Sequence, residues 1–74
     1  MATAILAANW VRIGNRLGVD FINIPIEEWI KGCDHELEHW ETVKGNPLMI
    51  AGIALDHLRE DKDYYKKLEQ VEHE

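Results

Sequence analysis

A chain of 74 residues allows one domain and no more. It is 46% hydrophobic, with three Trp and two Tyr, and its formal charge is −6. That combination supports a real core and supplies no basic stripe to meet phosphates, which excludes nucleic acid as a partner.

The apolar spacing predicts four helices and no strand. Thr3 is placed to cap the first, over residues 3–17, where Leu6, Trp10, Ile13 and Leu17 recur on one face. Gly18 suits the left-handed position after a helix end. Val19 to Ile24 reads as a short extended connector. A second helix over 25–41 starts from Asn23 as cap, with Pro25 in its first turn. Ile26, Trp29, Ile30, Cys33, Leu37 and Trp40 form its apolar stripe, and Glu27 and Glu28 suit the positive end of the helix dipole.

Lys44-Gly45-Asn46-Pro47 is a turn: Asn46 caps, and Pro47 opens a third helix over 47–59. Leu48, Ala51, Leu55 and Leu58, widened by Ile50, Ile53 and Ala54, make that helix the most buried of the four. Gly52 in its middle invites a close helix crossing. Asp61 is placed to cap the fourth helix, over 61–73, whose face is Tyr64, Tyr65, Leu68 and Val71. Adjacent Tyr64 and Tyr65 diverge by about 100°, so one direction cannot bury both unless a second surface covers one of them. The expected fold is all-α, a single four-helix domain over residues 1–74.

Cys33 is the sole cysteine, which rules out an internal disulfide and a thiolate zinc cluster. The first eight residues lack a basic leader, and no apolar run approaches the roughly 18 residues of a membrane span. The expected setting is cytoplasmic, away from membranes.

Four pieces of the chain, read in order, carry a resemblance: Arg16-Leu17-Gly18-Val19-Asp20-Phe21, Glu36-Leu37-Glu38-His39, Ala54-Leu55-Asp56-His57-Leu58 and Asp63-Tyr64-Tyr65. Together they make residues 10 to 72 resemble a family of small, uncharacterised helical proteins of prokaryotes and their viruses, catalogued as a domain of unknown function. Members of that family often have Gly after the Glu-Leu-Glu-His piece and Pro before Asp-Tyr-Tyr. Trp40 and Lys62 stand there in this chain. The resemblance implies an all-helical fold and brings no activity with it.

The chemical lead is the stretch Asp34-His35-Glu36-Leu37-Glu38-His39, which sets two imidazoles among three carboxylates. With Cys33 at the centre of the helix stripe, Glu36 falls about 60° to one side and His39 about 120°, while His35 points to water. If this flank faces the third helix, Glu36 and His39 converge with His57. Mixed nitrogen and oxygen donors of that kind suit zinc, iron or manganese. The same Glu-x-x-His spacing also occurs as a plain hydrogen-bonded pair at a helix edge. Catalysis is disfavoured: the chain has no Ser, and its one thiol falls on the core stripe. Trp10, Trp40, Tyr64 and Tyr65 are candidate interface residues, because so many aromatics exceed what four short helices can cover. The expected function is therefore a small non-enzymatic interaction or structural module that self-associates as a homodimer, or one that meets a basic or apolar protein partner. The alternative is a divalent-metal site at Glu36, His39 and His57.

Overall fold

The computed structural model describes residues 7–40 and 46–72, with the side chains of all of these except Trp40 and Glu72. Among them are four α-helices and no strand: α1 (Ala7–Leu17), α2 (Ile26–Trp40), α3 (Pro47–Glu60) and α4 (Tyr64–Glu72). The all-α fold read from the spacing is the fold observed. The expected Thr3 cap, the Leu6 contact and the Lys44-Gly45 part of the turn lie outside the described residues. None of the described helices is long and apolar enough to cross a membrane.

α1 ends as its glycine requires. Gly18 has φ +80°, the Gly18 N–H donates to the Asn15 carbonyl (3.2 Å), and the Val19 N–H donates to the Gly14 carbonyl (2.9 Å). This pair of bonds is the Schellman motif, which satisfies carbonyls that the helix end leaves open.

The segment after Gly18 is a turn and not the expected extended connector. The Asp20 carboxylate accepts the Ile22 N–H and the Asn23 side-chain amide, and the Asp20 carbonyl accepts the Asn23 and Ile24 N–H groups. These bonds hold the Asp20 carboxyl below its usual range, the Asn23 amide first and the Ile22 N–H second. Asn23 lies two residues before the first carbonyl that α2 uses, so it is not the cap residue. The Trp29 N–H bonds the Pro25 carbonyl (3.0 Å), which makes Pro25 the cap residue.

α3 begins as expected, with the Asn46 side chain accepting the Met49 N–H at 2.9 Å and Pro47 in the first turn. It ends at Asp61, whose N–H donates to the His57 carbonyl (3.0 Å). Asp61 then starts a second turn, accepting the Asp63 N–H on its carboxylate and the Tyr64 N–H on its carbonyl. α4 therefore begins at Tyr64, three residues after the expected start. Lys67 reaches back to Asp61 at 2.6 Å and is the main cause that holds its carboxyl below the usual range, with the Asp63 N–H second.

α2 and α3 share the largest interface; α1 and α4 each pack on both and do not touch each other. Trp10, Trp29, Tyr65, Ile50 and Cys33 are fully enclosed. Ile50, Ala51, Ala54, Leu55 and Leu58 make α3 the most buried helix, as its sequence predicts. The close approach expected at Gly52 occurs elsewhere, since nothing lies within 4 Å of where a Gly52 Cβ would sit. It occurs at Gly14, where a Cβ would meet Phe21 and Trp29 at 2.8 Å. The Trp29 ring lies on that bare backbone, donates its indole N–H to the Trp10 carbonyl (2.7 Å) and takes the Phe21 ring edge-on at 6.4 Å. The Trp10 indole N–H in turn reaches Asp34 on α2 (2.8 Å). Both buried indoles are thus paired, which removes the cost of hiding a donor.

Candidate functional site

The three helices α2, α3 and α4 meet at Glu36. That residue is 6% exposed, an unusual place for a carboxylate. Gly32 lies one turn earlier on the same face, and its lack of a side chain admits the Tyr65 ring of α4. A Cβ on Gly32 would lie 2.8 Å from Tyr65 Cδ2. Seated there, Tyr65 donates its hydroxyl to Glu36 Oε2 at 2.8 Å.

His57 of α3 brings its Nε2 to 3.8 Å from the same oxygen, an electrostatic approach too long for a hydrogen bond. The imidazole is stacked on Tyr64, with centroids 4.2 Å apart and planes 1° from parallel. Tyr65 meets both rings edge-on, at 6.1 Å from His57 and 4.9 Å from Tyr64. The tyrosine pair is thus divided: Tyr65 is buried by α2, and Tyr64 is half-covered by His57.

Burial is the main force on the acid–base behaviour here. It pushes the Tyr65 phenol far above its ordinary range, and the bond to Glu36 pushes the same way. It pushes the Cys33 thiol far up as well, with the Asp34 and Glu36 carboxylates adding to the effect. Neither group ionises near neutral pH, and Cys33, at 0% exposed, is the inert core thiol its stripe position predicts.

Of the three candidate ligands, Glu36 and His57 are brought together. His39 does not join them: among the described residues no three His, Cys, Asp or Glu side chains form a group able to hold a metal ion. His35, expected in water, is half-buried 5.6 Å from the Tyr65 ring, because α4 lies along that side of α2. Of the aromatic candidates, Trp10 (0% exposed) and Tyr65 (2%) lie inside the protomer and present no surface to a second copy. Tyr64 is half-exposed, and the Trp40 side chain lies outside the described atoms.

Two grooves open on the surface, the first of them past Tyr65. One, about 340 Å³, runs between α2 and α4 past Asp34, His35, Glu38 and Leu68. Its one cation, Lys31, is engaged by Glu69 (3.0 Å) and Glu28 (3.5 Å). The other, about 390 Å³, lies between the 18–24 turn and the C-terminal part of α3. Sequence reasoning missed both grooves, the Tyr65–Glu36 bond and the Trp10–Asp34 bond. The available signal for the Tyr65 seat was Gly32, four residues before Glu36 on the same flank.

Over residues 10–74 the chain matches the family model described as Protein of unknown function (DUF5661), and it belongs to that family. No curated protein and no solved structure matches it. Three of the four sequence pieces that carry the resemblance supply Glu36, His57, Tyr64 and Tyr65 to one junction. The fourth forms the Schellman turn and delivers Phe21 to Trp29.

Proposed function

We propose that this protein is a small non-catalytic interaction module that acts as a homodimer. One observation carries the reading. Leu48 and Met49, at 45% and 49% exposed, stand together in the first turn of α3. Covering side chains of this kind contributes about 1.5–3 kcal/mol each when burial is complete. The groups that would otherwise suggest chemistry are occupied in support of the fold: Glu36 by Tyr65, Asp34 by Trp10, and the Cys33 thiol by burial.

Sedimentation equilibrium at micromolar concentration tests this. The expected mass is twice the 8.6 kDa of one chain. The double variant Leu48→Glu, Met49→Glu is expected to sediment as a monomer with unchanged helix content. A monomeric mass for the parent at high concentration refutes the proposal.

A second reading, a divalent-cation site, rests on the 3.8 Å approach of Glu36 and His57. Zinc or manganese at a hundred times the dissociation constant is then expected to raise folding stability by about 2.7 kcal/mol. The gain fades as pH falls, since imidazole must be neutral to coordinate. It is abolished by His57→Ala. No gain in the parent chain removes the reading.

A further inference from the structure

We propose that the groove between the 18–24 turn and the end of α3 binds a small amphipathic carboxylate, a hydrocarbon chain ending in a single anionic headgroup. The groove has a volume of about 390 Å³, within the range of small-ligand clefts. Its floor is Ile24, Leu55 and Leu58, side chains of the core that show their outer atoms there. Its rim carries Arg59 and Lys62. Neither of these cations forms an ion pair among the described residues, in a chain whose net charge is −6. Elsewhere among the described residues Lys31 of α2 and Lys67 of α4 are engaged by carboxylates, while Lys66 of α4 is not.

The chemistry selects the occupant. The alkyl stems of Arg59 and Lys62 extend the apolar walls, and their charged heads sit at the edge. A ligand must therefore be apolar along its length and negative at one end. Asp20 is the one carboxylate among the lining residues, and both its oxygens already accept hydrogen bonds, from Ile22 and Asn23. The two cations outweigh it. A peptide fits less well, because the apolar floor offers no partners for its backbone N–H and C=O groups. A hydrocarbon chain makes no such demand.

The neighbouring groove supports the assignment by contrast. There Asp34, Glu38 and Glu69 outnumber Lys31, and the same anion would be repelled. The two clefts of one small domain thus carry opposite charge, and only the second pairs cations with an aliphatic floor.

The test is a nuclear magnetic resonance titration of the methyl-labelled chain with three probes of equal tail length: decanoate, decyl alcohol and decyltrimethylammonium. All are kept below the concentration at which they form micelles. Decanoate is expected to shift the methyl signals of Ile24, Leu55 and Leu58 saturably, with the alcohol weaker and the cation weakest. The exposed double variant Arg59→Glu, Lys62→Glu is expected to weaken decanoate by on the order of tenfold or more, since both attractions to the carboxylate become repulsions. The same shifts are expected in the Leu48→Glu, Met49→Glu variant, so this proposal stands or falls apart from dimerisation. Four results overturn it: no saturable shift, shifts centred elsewhere, equal affinity for the cationic probe, or unchanged affinity after charge reversal.

Discussion

Replacing one hydrogen by a methyl group at two glycines of this protein is expected to change stability in opposite directions. Gly52 and Gly32 are both interior helix positions. An alanine is favoured over glycine in such a place by about 1 kcal/mol, because the unfolded chain loses freedom and the helix does not. At Gly52 nothing lies within 4 Å of the new methyl. Gly52→Ala is therefore expected to stabilise by roughly 0.5–1 kcal/mol.

At Gly32 the methyl would meet Tyr65 Cδ2 at 2.8 Å and Cζ at 3.0 Å. Real Cβ atoms do not come so close to a neighbour, so the ring or the helix must move. Overpacking of this kind costs about 1–3 kcal/mol. A displaced Tyr65 also breaks the bond to Glu36 and leaves a buried carboxylate without its donor, which costs about 1.5–3 kcal/mol more. Set against the helix gain, Gly32→Ala is expected to lose roughly 2–4 kcal/mol. A domain of this length has a total stability of only about 4–11 kcal/mol. Thermal unfolding monitored by circular dichroism reads the difference directly. Each kcal/mol moves the midpoint by about 4–8 °C at this size, so the two variants are expected to stand at least about 10 °C apart. Near-ultraviolet dichroism checks the cause, because Gly32→Ala moves a tyrosine and Gly52→Ala moves none. A neutral or stabilising Gly32→Ala would show that Tyr65 does not lie on the α2 backbone, and the Glu36 junction would have to be redrawn.

The same contacts bear on alkaline stability, thiol reactivity and helix capping. Stability is expected to fall on the alkaline side. The unfolded thiol and phenol ionise from about pH 9 and 10, whereas the buried Cys33 and Tyr65 hold their protons, so the loss begins above about pH 9. It grows by about 1.4 kcal/mol per pH unit for each group. Urea unfolding across the alkaline range measures it, and a flat profile contradicts the burial of both groups. Cys33 is expected to react with a thiol reagent only after denaturation, and prompt labelling of the native chain would place α2 on the wrong face. Asn46→Ala is expected to cost about 1 kcal/mol by removing the acceptor of the Met49 N–H, and an unchanged midpoint would show that the cap contributes nothing.

The helices were legible because their apolar residues repeat with the helical period, and the Gly18 and Asn46 signals act through bonds only a few residues long. The misassigned cap of α2 and the misplaced start of α4 share one cause. Asp20 and Asp61 each turn a carboxylate onto N–H groups two or three residues ahead, and each folds its segment into a turn before the helix can begin. An aspartate before an apolar run is compatible with a cap or with such a turn, and the choice depends on the chain around it. Glycines posed a similar ambiguity. Sequence marks Gly14, Gly32 and Gly52 as helical positions without a side chain, but which of them lies beneath a ring depends on where the other helices pass.

That dependence also decides what Glu36 is for. The helix wheel placed Glu36 on a flank expected to face α3, and the flank faces α4 as well. Two aromatic rings in this protein are seated in the same way. Trp29 lies on Gly14 and donates its indole N–H to Trp10, four residues back; Tyr65 lies on Gly32 and donates its hydroxyl to Glu36, four residues on. One helical turn separates each bare seat from its acceptor, because residues four apart stand side by side on a helix surface. At Trp10 the acceptor is a main-chain carbonyl, which any residue would supply. At Glu36 it is a side chain, so the second seat depends on residue type. The oxygen that binds Tyr65 is also the one that His57 approaches. A cation held between Glu36 and His57 would therefore share Oε2 with the Tyr65 hydroxyl that docks α4 on α2, and the two lone pairs of that oxygen can serve both.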